Sequence, residues 1–455
     1  MKAPGAILLV ACYELGHQPL AVAWPAAFLE RHGYAPGVMD VSVEPFDPAK
    51  VASARLVAIS VPMHTALRLG VGIAERVRKV NPRCHVCFYG LYAALNADWL
   101  LATCADSVLA GELEPELVEL ASRLERGEPV QGVNASRLAK LDFPLPRRSG
   151  LPGLETYARL ERDGRLEVTG YVEASRGCKH QCRHCPIPPV YGGRFFVVPR
   201  EVVLADVRQL VAAGARHITF GDPDFLNGPG HAMALARALH AEFPDVTFDV
   251  TTKVEHLLRH RRLLPELAAL GCAFVVSAVE SLSDTVLGHL AKGHTRADFV
   301  EVLELTRDAG LVLRPTWVAF TPWTTLDDYR EMLDFIAREG LVDHIDPVQY
   351  SIRLLVPPGS LLLESDAMRP HLGELVHGAF YYRWTHGDPR MDQLHADVGA
   401  AVAQGADGKQ DAQVTFARIV ALADAAAGES SNTLVAVEVP ANRSRPPRLT
   451  EPWFC

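Results

Sequence analysis

The chain has 455 residues, a length typical of two or three domains. Hydrophobic residues make up 49% and charged residues 22%, which excludes a disordered chain. The net charge of −9, with no long run of Lys or Arg, argues against a nucleic-acid partner.

The first apolar run stops at Glu14, so it predicts a buried strand rather than a signal peptide. No apolar run reaches the roughly 18 residues that a membrane-spanning helix needs. We therefore expect a cytoplasmic protein with no membrane partner.

Residues 1–128 alternate short apolar runs with segments of helical periodicity, which predicts a parallel sheet covered by helices on both faces. The predicted strands lie at 6–10, 37–41, 56–60, 85–90 and 106–110. This pattern indicates a Rossmann-like domain. The turn after its first strand, Cys12–His17, lacks the G-x-G-x-x-G fingerprint, so it does not predict a dinucleotide site.

A linker rich in Pro, Arg and Gly, 129–170, leads into a second α/β region, 171–364. Its predicted strands lie at 170–175, 217–222, 246–251, 273–280, 311–320 and 344–352. Six strands with crossover helices predict a partial (β/α)6 barrel, whose catalytic groups would lie at the carboxyl ends of the strands. Residues 365–428 are predicted to be a helical extension, and 429–455 an extended tail.

Three cysteines follow the first predicted barrel strand, in the sequence GCKHQCRHC. Thiolates at Cys178, Cys182 and Cys185 can each bind a different iron of a 4Fe–4S cluster, which leaves the fourth iron open. The alternative is a zinc site, which would need His180 or His184 as its fourth ligand.

This C-x3-C-x2-C spacing resembles the radical S-adenosylmethionine (SAM) superfamily. The resemblance implies a cluster on the three cysteines, SAM as cosubstrate and a flavodoxin- or ferredoxin-type electron donor. It also implies positions that contact SAM. These are Gly221 with either Asp222 or Asp224 in FGDPD, His184 before the third cysteine, and Ser277 and Glu280 in SAVES.

Further segments, including HITFGDPDFLNGPGHA, LAKGHTRADF, PTWVAFTPWTTL and the end TEPWFC, resemble a narrower group. That group is named for a Cys-Cys-Ala-Glu-Pro or Cys-selenocysteine-Ala-Glu-Pro tail and includes a synthase of the arsinothricin pathway. The resemblance implies cleavage of the Cγ–S bond of SAM and transfer of its 3-amino-3-carboxypropyl group to arsenite, as in natural product biosynthesis.

The given sequence stops at Cys455, where a second cysteine or a selenocysteine would follow in that group. Either a UGA codon was read as a stop, or the tail of this member is shorter. We expect the tail to reach the barrel mouth and to present Cys455 to the acceptor. Arg353 or Lys253, at predicted strand ends, would hold a substrate carboxylate.

Two alternatives remain. A Rossmann-like domain before such a barrel also resembles the cobalamin-dependent radical SAM methyltransferases, although the D-x-H-x-x-G motif is missing and only His17 lies in the corresponding turn. Cobalamin is therefore an alternative cofactor that we do not favour. The other alternative is a non-catalytic protein that has kept the iron–sulfur fold.

Overall fold

The computed structural model describes residues 1–429, 443 and 445–451. The predicted α/β class, with an amino-terminal parallel sheet followed by a partial barrel, is confirmed. No helix in these ranges combines the length and the apolar character needed to cross a bilayer.

The first sheet has six parallel strands in the order β2-β1-β3-β4-β5-β6. The strands are β1 Ile7–Ala11, β2 Gly37–Asp40, β3 Leu56–Ser60, β4 His85–Tyr89, β5 Ser107–Gly111 and β6 Val133–Arg137. The helices are α1 Leu20–Arg31, α2 Pro48–Ser53, α3 His64–Val80, α4 Leu91–Leu95, α5 Ala97–Thr103 and α6 Glu114–Arg126.

Side chains of β1 alternate between two separate cores. Leu8 and Val10 pack into one core, whereas Ile7, Leu9 and Ala11 pack into the other. Successive strand residues point to opposite faces, so helices on both faces bury the whole strand. The order reverses between β1 and β3, where doubly wound sheets usually bind ligands beyond the carboxyl ends.

The second sheet has seven strands in the order β14-β13-β12-β11-β8-β7-β17. Five neighbouring strands of this sheet are parallel to one another, namely β8, β11, β12, β13 and β14. The strands are β7 Arg159–Arg162, β8 Arg165–Val172, β11 His217–Phe220, β12 Thr247–Thr251, β13 Cys272–Glu280, β14 Leu313–Trp317 and β17 Arg448–Leu449. A separate pair, β9 Ser175–Gly177 and β10 Phe195–Val197, is antiparallel. The helices are α7 Ile187–Tyr191, α8 Arg200–Ala212, α9 Pro229–Glu242, α10 Val254–Arg259, α11 Leu264–Ala269, α12 Asp284–Leu290, α13 Arg296–Asp308 and α14 Leu326–Arg338.

Two of the barrel helices begin with reciprocal caps that the sequence encodes locally. Thr295 and Asp298 form a capping box at α13, and Thr325 and Asp328 form one at α14. Each box satisfies backbone N–H groups that have no partner inside the helix. The caps fix where these helices begin after the barrel strands.

The sixth predicted barrel strand, 344–352, is wrong. This segment forms 3-10 turns at Val342–His344 and Pro347–Ser351, and its only strand-like pairing is a bridge between Phe320 and Arg353. Pro347 has no N–H for a sheet ladder, which favours the turn.

Other predicted boundaries also shift. The predicted linker contains β6, β7 and most of β8, so the first barrel strand begins at Arg165 rather than at 170. The predicted helical extension is helical only in α15 Pro389–Asp407 and α16 Ala412–Ala426. Before them, β15 Leu372–Val376 and β16 Tyr381–Trp384 form an antiparallel hairpin. The division into five domains itself stays a prediction.

Candidate functional site

The cysteine loop begins where β9 ends and is closed at its base by pairing with β10. Gly177 pairs with Phe195 and has a φ of +75°. A Cβ on Gly177 would lie 2.6 Å from the Tyr191 ring, so only glycine fits this turn. The loop is therefore held in place at the carboxyl edge of the barrel sheet.

The three predicted cluster cysteines lie together in this loop. Cys178 and Cys182 are buried and Cys185 is half-buried. Burial, and to a smaller extent the neighbouring Cys182 and Cys178, raises the pKa of the Cys185 thiol to about 12. Thiols with raised pKa values are poor nucleophiles on their own but become thiolates when they bind a metal.

The three sulfurs are not grouped as tightly as the ligands of the candidate single-ion site in this structure. Among the described residues, the one compact set of three His, Cys, Asp or Glu ligand atoms does not include them. A cluster in which each thiolate binds a different iron does not require the three sulfurs to converge on one point.

The loop also contacts the polar segment after β11. The side-chain amide of Asn227 lies 3.6 Å from Cys178 Sγ, and Lys179 Nζ donates to the Asn227 carbonyl at 2.7 Å. A hydrogen bond to a cysteine sulfur is one way in which a protein tunes an iron–sulfur cluster.

Asp222 anchors the chain just before the cysteine loop. Its Oδ2 accepts a hydrogen bond from the Ala174 N–H at 2.8 Å, and Oδ1 accepts one from the Ser175 hydroxyl. Burial raises the pKa of Asp222 to about 7, although both hydrogen bonds act in the opposite direction. Its neighbour Gly221 packs against Tyr171 so closely that a Cβ would overlap the phenol. In the structure, Gly221 and Asp222 therefore both support the chain segment that leads into the cysteine loop.

Asp224, the other acidic candidate, lies between two histidines. Its Oδ2 is 2.8 Å from His256 Nδ1 and 3.3 Å from His180 Nε2. Asp224 is fully buried, and burial would raise its pKa, but the two imidazoles lower it overall. His180 is in the cysteine loop, so this cluster adjoins the predicted cluster site.

Glu280 lies at a β-bulge in β13 and has a φ of +68°, which is rare for a residue with a side chain. Its Oε1 is 3.1 Å from Lys292 Nζ and 3.2 Å from His184 Nε2. Despite burial, which raises it, the pKa of Glu280 is lowered to about 2 by these two partners, Lys292 first. His184 and Glu280, which were predicted separately, are therefore brought together around an ionised carboxylate.

Ser277, on the same strand, is fully buried and its hydroxyl has no hydrogen-bond partner in the structure. A buried hydroxyl without a partner costs free energy, so it is a group that a bound ligand would satisfy. This property agrees with the predicted contact to SAM.

The two residues predicted to hold a substrate carboxylate differ in how many contacts their charged groups already make within the chain. Lys253 is buried just before α10, and its Nζ is 3.5 Å from Glu255 Oε2. Arg353 is engaged elsewhere, because it donates to Asp392 Oδ1 and to the Trp384 carbonyl, both at 2.8 Å. Its guanidinium also lies 3.5 Å from the Trp384 ring centroid. These contacts favour Lys253. Cys455 lies outside the described residues.

Sequence reasoning missed Lys292, and it missed the pairing of His180 and His256 with Asp224, although His256 was singled out as lying just beyond a predicted strand end. Lys292 follows α12 and is nearly fully buried. The one sequence signal for Lys292 was its position in LAKGHT, two residues before His294. The pairings themselves depend on how separate strands assemble.

The carboxyl edge of the first sheet is covered by other parts of the chain. The His17 ring stacks on Tyr171 with centroids 4.5 Å apart, and burial lowers the pKa of His17 to about 4. Glu451 accepts a hydrogen bond from the Tyr13 hydroxyl at 2.8 Å. Its side chain also packs against Gly16 so closely that a Cβ atom at that position would lie 2.7 Å from it.

The hairpin β15–β16 covers the next part of this edge. His64, at the start of α3, contacts the Ala379 carbonyl through Nε2 at 2.7 Å. Phe380 packs edge-on against Trp99, with centroids 4.8 Å apart. The turn of the hairpin thus lies against the elements that follow β3 and β4.

The comparisons with known proteins place the barrel in one superfamily. Residues 172–336 match the model described as the radical SAM superfamily. The chain is 30% identical over 200 residues to a tRNA-2-methylthio-N(6)-dimethylallyladenosine synthase of Desulfosudis oleivorans, covering 42% of each chain. It is 25% identical over 324 residues to the hopanoid C-3 methylase of Methylococcus capsulatus, covering 67% of this chain and 62% of the other. The chain thus spans about two fifths to three fifths of the length of these curated relatives.

Solved structures share the fold over more of the chain. OxsB, described as a cobalamin-dependent SAM radical enzyme with aqua-cobalamin bound, aligns with a TM-score of 0.68 and 14% identity. That alignment covers 88% of this chain and 67% of OxsB. TsrM from Kitasatospora setae is a radical SAM methyltransferase whose structure has cobalamin and a [4Fe-4S] cluster bound. It aligns with a TM-score of 0.58 and 17% sequence identity, and the alignment covers 74% of this chain and 70% of TsrM. At these identities the likeness concerns the fold alone.

Proposed function

We propose that the radical SAM domain of this chain binds a 4Fe–4S cluster through Cys178, Cys182 and Cys185 and acts as a transferase on SAM. The observation that carries this proposal is the cysteine loop itself. Its three thiols follow one another with the spacing C-x3-C-x2-C in one loop at the barrel's carboxyl edge. When bound and reduced, such a cluster supplies an electron to the sulfonium of SAM through its open iron.

Residues of the chain then bind and orient the cosubstrate. Ser277 offers a buried hydroxyl that lacks a partner, and Glu280 offers an ionised carboxylate next to His184. Asp222 accepts hydrogen bonds from the Ala174 N–H and the Ser175 hydroxyl and so fixes the start of the cysteine loop. The buried Lys292 keeps Glu280 ionised.

For the transferred group, we propose the 3-amino-3-carboxypropyl group of SAM, with arsenite as the acceptor. The support is the resemblance of TEPWFC and the barrel segments to the group with the Cys-rich tail. Lys253 is the better-placed cation for the carboxylate of that group, since Arg353 is already engaged.

The course of the described tail supports a role for Cys455 as the thiol that binds the acceptor. β17 is antiparallel to β7, which is antiparallel to β8, so β17 runs in the direction of β8. That direction leads toward the edge where the cysteine loop begins.

The second candidate is a cobalamin-dependent radical SAM methyltransferase, which the fold of OxsB and TsrM favours. The usual ligand crevice of a doubly wound sheet lies beyond β1 and β3. In this chain, Glu451 lies against Gly16, and the Ala379 carbonyl contacts His64 there. His17, the one histidine in the turn, stacks on Tyr171. These contacts weigh against this second function, and we derive no step through cobalamin.

Product analysis distinguishes the candidates. Anaerobically reconstituted protein is incubated with SAM and dithionite, with and without arsenite and cobalamin, and the products are identified by mass spectrometry. Methylthioadenosine and an arsenic adduct without cobalamin support the first proposal. S-adenosylhomocysteine formed only with cobalamin supports the second, and no SAM turnover under any condition supports a non-catalytic protein.

A matched pair of variants then tests the tail. Cys455→Ser should abolish the arsenic adduct but leave SAM cleavage intact. Cys104→Ser, a half-buried cysteine of the first domain, serves as the control. Equal adduct yields from both variants would contradict the role of Cys455.

A further inference from the structure

We propose that His180, Asp224 and His256 form a binding site for one divalent transition-metal ion, Zn²⁺ or Fe²⁺, separate from the iron–sulfur cluster. In the described part of the chain, they are the one group of three His, Cys, Asp or Glu residues whose ligand atoms all lie within 4.8 Å of one another. The inference does not depend on which group the enzyme transfers.

One of the two distances to Asp224 falls within the range expected for shared coordination, and the other is about 0.2 Å shorter. Three atoms about 2.1 Å from one ion, at angles of 90° to 109°, lie about 3.0 to 3.4 Å apart. Asp224 Oδ2 lies 3.3 Å from His180 Nε2 and 2.8 Å from His256 Nδ1. Two imidazoles and one carboxylate on one side of an ion are a known donor set for zinc and for non-haem iron.

Hydrogen bonding does not account for this arrangement. Although the atoms lie close together, Asp224 Oδ2, His180 Nε2 and His256 Nδ1 are buried and none of them has a well-formed hydrogen bond in the structure. Asp224 is fully buried and His256 is 5% exposed. Buried polar atoms without partners are rare, and an ion bound by all three would satisfy them together.

The surrounding groups orient the ligands as they do in metal sites. Glu255 Oε2 lies 3.5 Å from His180 Nδ1, the ring nitrogen on the other side from Asp224. Asp224 Oδ1 accepts a hydrogen bond from the Leu226 N–H at 3.1 Å, which fixes the carboxylate. Carboxylates behind ligating histidines set the tautomer and the ring orientation.

The ligands come from three separate elements. His180 is in the cysteine loop, Asp224 follows β11, and His256 is in α10 after β12. An ion at this site would tie the cysteine loop to two strand ends and would leave positions for water or an oxygen ligand. It would also make Asp224 a metal ligand rather than a contact to the amino group of SAM.

The test is the zinc content of the reconstituted holoenzyme. Protein is treated with a chelator, dialysed against buffered Zn²⁺, and analysed for zinc and iron together by mass spectrometry. We expect one zinc per chain in addition to the iron of the cluster. His256→Ala should lose the zinc and keep the iron. The control is His371→Ala, because His371 directly precedes β15 and contacts the Thr385 carbonyl. This variant should keep both the zinc and the iron.

Glu255→Gln keeps all three ligands and decides the question if His256→Ala does not fold. We expect it to bind zinc about 10- to 100-fold more weakly. Zinc that persists in His256→Ala, or affinity unchanged in Glu255→Gln, would overturn the proposal. So would a wild-type protein that takes up no zinc while Asp224→Asn weakens SAM binding, because Asp224 would then be a contact to SAM.

Discussion

The two parallel sheets of this chain place very different groups at equivalent edges. At the carboxyl edge of the barrel sheet lie three cysteines, an ionised buried glutamate and several buried atoms without partners. At the carboxyl edge of the first sheet, His17, His64 and Gly16 are in contact with other parts of the chain. On the function proposed above, the same architecture serves as a reactive surface in one domain and mainly as a docking surface in the other.

The strongest test of this contrast is Cys182→Ala. We expect the variant to lose the iron–sulfur cluster and all cleavage of SAM, because two thiolates do not hold a cluster with one open iron. Iron and sulfide content, visible absorption and SAM products measure the effect. Cys87→Ala, in the buried first sheet, is the matched control and should keep the cluster. Full activity in Cys182→Ala would contradict the proposal that the carboxyl edge of the barrel sheet carries the reaction.

Glu280→Gln tests the charge at the same edge. Lys292 is 2% exposed, and removing its carboxylate partner leaves a buried cation unpaired. We expect the free energy of unfolding to fall by about 3 kcal/mol and SAM to bind more weakly. Urea denaturation and equilibrium binding measure the two effects. Glu266→Gln breaks the exposed pair with Arg237 and should change neither.

Gly221→Ala tests the packing that joins the two edges. A Cβ at this position overlaps the Tyr171 phenol, so Tyr171 must move away from its stack with His17. We expect a loss of about 1 to 3 kcal/mol in the free energy of unfolding. Gly230→Ala, in α9 with no atom within 4 Å of its Cβ, should be neutral or stabilising. Equal stabilities for the two variants would show that Tyr171 is free to shift.

His17→Phe concerns the docking edge, and its charge effect is absent at neutral pH. The pKa of His17 is lowered from 6.5 to about 4, so between these pH values the unfolded chain binds a proton that the folded chain does not. The contribution of His17 to the stability of the wild type is therefore fully present above pH 6.5 and is lost as the pH is lowered toward 4. Because phenylalanine keeps the stack and cannot be protonated, the slope should fall by up to about 1.4 kcal/mol per pH unit. Urea denaturation across this range checks it, with the exposed His32→Phe as control.

The sequence was sufficient where the signal is local. The strands of the first sheet are short apolar runs, and the prediction at 56–60 matches β3 residue for residue. The cysteine loop could be predicted because all of its ligands lie within one short segment. Glu280 and His184 were singled out separately, and the structure shows that they are partners.

Predictions failed where tertiary packing decides. The segment 372–384 was read as helical from its apolar spacing, but its Tyr and Trp residues favour strands, and it pairs as a hairpin over the first sheet. The cluster of His180, Asp224 and His256 joins three elements that lie up to 76 positions apart, so no local pattern indicates it. Lys292 was missed because only its burial beside Glu280 distinguishes it from a surface lysine.

All three thiols of the cysteine loop belong to eight consecutive positions, and the short β9–β10 ladder closes the segment that carries them. Little chain entropy has to be lost to gather these sulfurs, since loop closure over so few residues is inexpensive. The barrel can thus fold before iron and sulfide arrive, and maturation factors would then load a finished scaffold. Far-ultraviolet circular dichroism of metal-free protein should accordingly already show the full helix content.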